Sequence, residues 1–374
     1  MSGDRNFLQI DSTRRHDMNL RVFPRRLTGP IAILALLALA TACAGPTTPE
    51  AAQPSDLGKC STGSFAQPET ASIGYFAEPN QYMSLKTGTA LSTGLTTQFQ
   101  WKSFNSGADV NTAMASGALD MSYIGGSPAA SGIAQGLNYK IIGMYYVAGE
   151  NEALIAKSSS GVKAVEDLAG KTVGVPLGST SHYALMNALR LAGVSEQNVK
   201  VLNLSPQQMV AAWQRGDIDA GYVWEPARSQ LLNEGGRMIT NGNEMAAKGY
   251  PTTGLAIVQN DFAKKYPCVV LHWMEKNSEA TVLAAKDPQT AASAFAGDLG
   301  LTPKFAAEQL SLETLWPDSQ QITYFDSTEK NGLAWALADT AKFLQEQNYI
   351  SNAPSQDAFR NSIDSSFLKY GQSG

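Results

Sequence analysis

AAWQRGDIDAGYVWEPA, residues 211–227, contains the phrase GDIDAGYV, and residues 117–124 read GALDMSYI; a proline follows each phrase within four residues. In each copy a helix is expected to end at a glycine (Gly117, Gly216). An apolar residue and an aspartate follow (Asp120, Asp219), and a short apolar strand then leads to a new helix with proline near its first turn (Pro128, Pro226). Proline suits that position because its fixed φ is helical and its missing N–H is not needed there. Both turns fall at the carboxyl ends of strands, the edge where open parallel sheets bind ligands. A helix starting at that edge offers free N–H groups and a partial positive charge to an anion. Two such edges facing one another make a cleft for a small ligand, and duplication supplies both walls.

Working outward, ASIGYF (71–76), TTQFQWKSF, MSYIG and YKIIGMYYV read as strands, with helix candidates at about 82–93, 108–116 and from Ser127-Pro128. The pattern restarts with EALIAKS, TVGVPL, VKVLNL, AGYVWE and RMITN, separated by helices such as SHYALMNALRLAG and PQQMVAAWQRG. From about Asp261 the periodicity is mostly helical. Strands alternating with helices imply parallel pairing, so the reading is an α/β protein of two lobes with a helical closing segment.

The 374 residues suffice for two domains; 43% hydrophobic and 16% charged content suits a substantial core. A net charge of −5 provides no basic footprint for nucleic acid. Arg21, Arg25 and Arg26 precede the apolar run Ile31–Ala40, which has the length of a signal h-region rather than of a membrane span. Met18 is an alternative start giving an ordinary signal length. The run ends in ATAC, so Cys43 is the expected lipidation site, although Ala40 stands where a lipobox usually has Leu; ordinary signal cleavage is the alternative. The Pro-rich residues 44–69 read as a flexible tether. Cys60 and Cys268 remain, and spacing alone leaves both a disulfide and two thiols open. Neither sits among ligands at metal spacing, and only His182 and His272 follow the signal, so no metal and no cofactor is expected.

KSFNSGADVNTAMASGALDMSYIGGSP, DLAGKTVGVPLGSTSHYALMNAL and AAWQRGDIDAGYVWEPA together resemble the taurine-binding proteins of ABC importers, within the wider group that binds alkanesulfonates, nitrate-like anions and thiamine precursors. The likeness covers roughly residues 70–265; AAWQRGDID and STSHY are its most specific phrases. It implies a two-lobed periplasmic-binding-protein type II fold with the ligand in the inter-lobe cleft. Residues 1–43 would be the lipoprotein signal and 44–69 the tether. Lobe one would comprise 70–152 and the mostly helical 256–374, with lobe two at 153–255. The implied partners are a small organosulfonate, an ABC permease with its ATPase, and the membrane through the lipid anchor, on a monomer at the outer face of the cytoplasmic membrane or in the periplasm.

Taurine carries a sulfonate and an ammonium. For the sulfonate, the candidate donors are Gly126 and Ser127 at the first switch turn and Ser179, Thr180, Ser181 and His182 at the start of a lobe-two helix, where hydroxyls and backbone N–H groups share the charge. Helix capping accounts for the same hydroxyls. Glu152 and Glu225 are the candidate acceptors for the ammonium, and Tyr75, Phe76 and Trp224 the candidate aromatic walls. One departure stands out: the taurine branch tends to have an acid after P-T-x, where this chain reads PTTGLAIV with Gly254. Another small amine or a thiamine-precursor-like pyrimidine is therefore the alternative ligand. A hydrolase is disfavoured, since no G-x-S-x-G elbow surrounds Ser179 or Ser181. The cysteine-rich motif of pyrimidine-forming relatives is also missing from the core.

Overall fold

A computed structural model describes residues 57–62, 64–330 and 332–371. The signal segment, Met18 and Cys43 lie outside the described residues. In chain order the strands are β1 (Thr70–Phe76), β2 (Gln98–Phe104), β3 (Met121–Gly125), β4 (Tyr139–Val147), β5 (Glu152–Lys157), β6 (Thr172–Val175), β7 (Lys200–Asn203), β8 (Ala220–Trp224), β9 (Gly236–Asn241) and β10 (Thr253–Gln259). They form two five-stranded sheets, ordered β2-β1-β3-β10-β4 and β7-β6-β8-β5-β9. Superposing the orders equates β1 with β6, β3 with β8 and β10 with β5.

The repeated phrase does the same work in both sheets. Gly117 and Gly216 have φ of 70° and 82°, the left-handed conformation in which a helix ends without a Cβ clash. Asp120 Oδ2 accepts from the Ser72 N–H at 2.8 Å, and Asp219 Oδ2 accepts from the Thr172 N–H at 2.8 Å. Each aspartate thus ties the entrance of its own strand to the neighbouring parallel strand, β1 or β6.

The expected parallel pairing holds for β1 with β2 and β3 and for β6 with β7 and β8, and is corrected for two strands. β10 runs antiparallel to β3 and β4, and β5 antiparallel to β8 and β9. These are the two crossover strands, and each enters its sheet from the cleft end, so it must run against the strands that leave toward that end. The helix anticipated at 82–93 is also shorter, Met83–Thr87. Beyond Gly88 the hydroxyls of Ser92 and Thr93 bond the Thr89 carbonyl at 3.0 and 2.9 Å, local bonds that compete with helix.

The closing helices belong with the first sheet: Ile363 bridges Ile141 and Thr314 bridges Val147, both on β4. Against this sheet lies an aromatic stack in which Tyr82 and Tyr123 sit 4.0 Å apart and Trp273, on the helix Pro267–Lys286, donates to the Tyr123 hydroxyl at 3.1 Å. Cys60 and Cys268 are disulfide-bonded, pinning the start of the described chain to that long helix. The second sheet has its own core around Met209, Trp213, Ile218 and Leu231.

Candidate ligand-binding cleft

Strands β1, β3 and β8 end at Phe76, Gly125 and Trp224, and these three residues line one chamber. Glu78, Tyr145 and Tyr146 from the first sheet's side, and Ser179 and Thr180 after β6, complete its wall with Gly107 and Pro128. The chamber itself holds about 40 Å³ and opens, past the shared residues Gly107, Pro128, Ser179 and Trp224, to a cleft of about 700 Å³ walled by residues such as Asn105 and Asp109 on one side and Leu177, Asn203 and Ser205 on the other. The cleft has the volume of a small-molecule site, and the chamber is its closed end. The strand-end rule therefore places the chamber where both sheets present their carboxyl edges.

Three helices begin at this chamber. Gly107–Ala115 is capped by Ser106, Gly126–Ala134 follows Gly125 without a side-chain cap, and Thr180–Leu191 is capped by Ser179, whose Oγ accepts from the His182 N–H at 3.2 Å. First-turn N–H groups have no partner within a helix, so the chamber is rich in donors and positive potential. A Cβ on Gly125 would lie 3.2 Å from Thr180 Cγ2, so the two helix starts face one another at van der Waals distance. Gly126 is packed more closely still, since its Cβ would meet Thr253 Oγ1 at 2.8 Å.

The other candidates occupy several environments. Glu152 is buried at the head of β5 and accepts from Thr180 Oγ1 at 2.7 Å, Ser181 Oγ at 2.5 Å and Thr252 Oγ1 at 2.8 Å. Burial pushes its carboxyl up despite these donors. It knots both crossovers to the lobe-two helix rather than lining the chamber. Glu225 is also turned away: it pairs with Arg228 at 2.9 Å and accepts from Ser229 N and Oγ at 3.2 and 2.9 Å. With its amide nitrogen toward Glu225, Gln309 donates to the two carboxylate oxygens at 2.6 and 2.9 Å. Ser127 is buried beside the lining residues Gly125 and Pro128. Tyr75 packs edge-on against Trp101 at 5.9 Å, outside the chamber. His182 packs against Phe343 and Tyr349, and burial lowers its pKa to about 4, so it is a neutral packing residue.

Six lining residues are not among the candidates read from the sequence: Gly107, Gly125 and Pro128 at the helix starts, and Glu78, Tyr145 and Tyr146. Glu78 lies in the AEP turn just beyond β1, a strand-end position that the ligand-edge rule covers. It accepts from the Tyr82 hydroxyl at 3.1 Å, and burial raises its pKa to about 7, with Glu152 and Glu225 adding in the same direction. Tyr145 and Tyr146 are successive, so a regular strand would send them to opposite faces. The pairing skips a residue here: Tyr146 faces Gly254 while Met144 faces Leu255, and this bulge turns both rings to the chamber. Among the described residues, no group of three His, Cys, Asp or Glu side chains is arranged to hold a metal ion.

Comparison with known proteins agrees with this geometry. The profile described as NMT1-like family matches residues 68–296. The taurine-binding periplasmic protein of Escherichia coli K12 is 32% identical over 280 residues, 73% of this chain and 85% of that protein. The solved alkanesulfonate-binding protein of Xanthomonas axonopodis pv. citri, bound to MOPS, superposes with a TM-score of 0.67 at 23% identity, covering 80% of this chain and 99% of the other. The periplasmic aliphatic sulphonate binding protein of Escherichia coli gives 0.66 at 24% identity, covering 80% and 92%. These two structures share the two-lobed fold.

Proposed function

The chain belongs to the NMT1-like family, and from that premise we propose that it is the extracytoplasmic binding component of an ABC importer for taurine or a related organosulfonate. It is a binding protein rather than an enzyme, like the taurine-binding relative. The observation that carries the reading is the meeting of the helix starts at Gly125 and Ser179-Thr180 in one chamber, with Trp224 as a shared wall. A sulfonate spreads one negative charge over three oxygens, and N–H groups from two helices satisfy it without a cation, each charged hydrogen bond contributing about 1.5–3 kcal/mol. Among the described residues no helix is long and apolar enough to cross a membrane. We assign the attachment to Cys43, acylated and left as the mature N-terminus when the signal is removed, with the folded part acting as a monomer beside its permease.

Calorimetry tests this reading. Ethanesulfonate and taurine should bind at one site per chain, and β-alanine, with a planar carboxylate in place of the sulfonate, about tenfold or more weaker. Absence of heat with every sulfonate would overturn it.

A further inference from the structure

The inner end of the chamber has aromatic rings where a primary amine would need several acceptors. Among the described residues Phe76, Tyr145 and Tyr146 line it, with Trp224 at the mouth shared with the cleft, and Glu78 is its one carboxylate. The neighbouring acids are already engaged: Glu152 by three hydroxyls, Glu225 by Arg228 and Ser229, and Glu313 by Asn80 at 2.9 and 3.1 Å. The Ser179 and Thr180 hydroxyls also donate elsewhere, to the Pro176 carbonyl and to Glu152.

The rings are held there by backbone design. The bulge in β4 aims both tyrosines inward, and Gly254 opposite makes the room. A Cβ at Gly254 would lie 2.4 Å from Tyr145 Cζ and 2.5 Å from Tyr146 Cε1, so no side chain fits at that position while the rings are in place. Among the described residues, neither tyrosine hydroxyl makes a hydrogen bond with a protein group. An N-alkylated ammonium spreads its charge over methyl or ring carbons, asks for few acceptors, and is attracted to aromatic faces and a single carboxylate.

We propose that this end is a box for an N-alkylated ammonium, making the ligand class an aminosulfonate with methyl or ring substituents on nitrogen. The inference rests on the sulfonate reading above for the other end of the ligand. Its test is calorimetry of the disulfide-intact protein with taurine, N,N,N-trimethyltaurine, the uncharged neohexyl sulfonate of the same shape, and glycine betaine. The trimethylated ligand should bind about tenfold or more tighter than taurine and than the uncharged isostere. Glu78→Gln should shrink the charged-to-uncharged affinity ratio about tenfold, and Tyr146→Leu should shrink it about fivefold.

Tightest binding by taurine, or equal binding of the trimethylated ligand and its isostere, would overturn the box. If Tyr146→Leu does not fold, the ligand series with Glu78→Gln still decides. Silence of all three sulfonates with a response to glycine betaine would sink the sulfonate reading and keep the box, whereas silence of all four sinks both.

Discussion

Glu78 and Glu225 are both buried acids beside strand ends, yet they act differently because of what surrounds them. Glu78 faces the chamber with a pKa near 7, so a cationic ligand must drive it to ionise. Affinity for N,N,N-trimethyltaurine should therefore rise between about pH 6 and 8, level off above, and lose this slope in Glu78→Gln; calorimetry across pH reads it directly. In the unliganded protein the sign is opposite. Burial raises Glu78 from 4.5 to about 7, so the folded state holds a proton that the unfolded chain has released. The stabilisation is full below about pH 4.5 and is lost as pH rises through 7. Glu152, Glu225 and Glu313 are raised as well and add to the trend. Glu225, held by Arg228, should behave as structure: Glu225→Gln should weaken taurine and ethanesulfonate to the same extent and destabilise the fold by about 3 kcal/mol, measured by denaturant titration. Its placement at the strand end was legible, but a strand end does not reveal which way a side chain turns. Arg228, three residues on, was the readable hint of an ion pair.

Among the secondary elements, the strand-to-helix turns were legible because glycine, aspartate and proline each impose a local geometry. The direction of β10 was not, because TGLAIVQ is buried along nearly its whole length and an apolar run has no polarity of its own. The bulge at Tyr145 escaped for a related reason, since YKIIGMYYV reads as one uninterrupted buried strand. The knot at Glu152 joins three elements, and its value lies in Thr252, on the second crossover, donating to an acid on the first. Thr252→Val should leave a buried carboxylate oxygen without its donor and cost about 1–3 kcal/mol of stability, seen as a lower denaturant midpoint. Because the same acid fixes Thr180 at the chamber wall, the substitution should also weaken sulfonate binding, whereas Thr252→Ser should restore both properties.

Across the whole molecule, duplication explains the shared strand order of the two sheets, and the closing helices join them. Tyr183 on the second sheet's side donates to Asp339 at 2.8 Å, and Gln347 donates to Glu196 at 2.8 Å. These contacts tie the second sheet's side to the closing helix Leu333–Glu346 and the residue that follows it. Nothing in the local pattern could pair Cys60 with Cys268, because a separation of 208 positions carries no information on where the ends meet. A cross-link enclosing so long a loop stabilises mainly by limiting the unfolded chain. Cys60→Ser should lower unfolding free energy by about 2–5 kcal/mol while leaving affinity at saturation of folding unchanged.

The most direct test is a crystal structure with an organosulfonate bound, its sulfur located by anomalous scattering. The account predicts sulfur in the chamber beside Trp224, with sulfonate oxygens about 3 Å from backbone nitrogens at the starts of both the Gly126–Ala134 and Thr180–Leu191 helices. Sulfur bound outside that chamber, or held by one sheet's side alone, would contradict it.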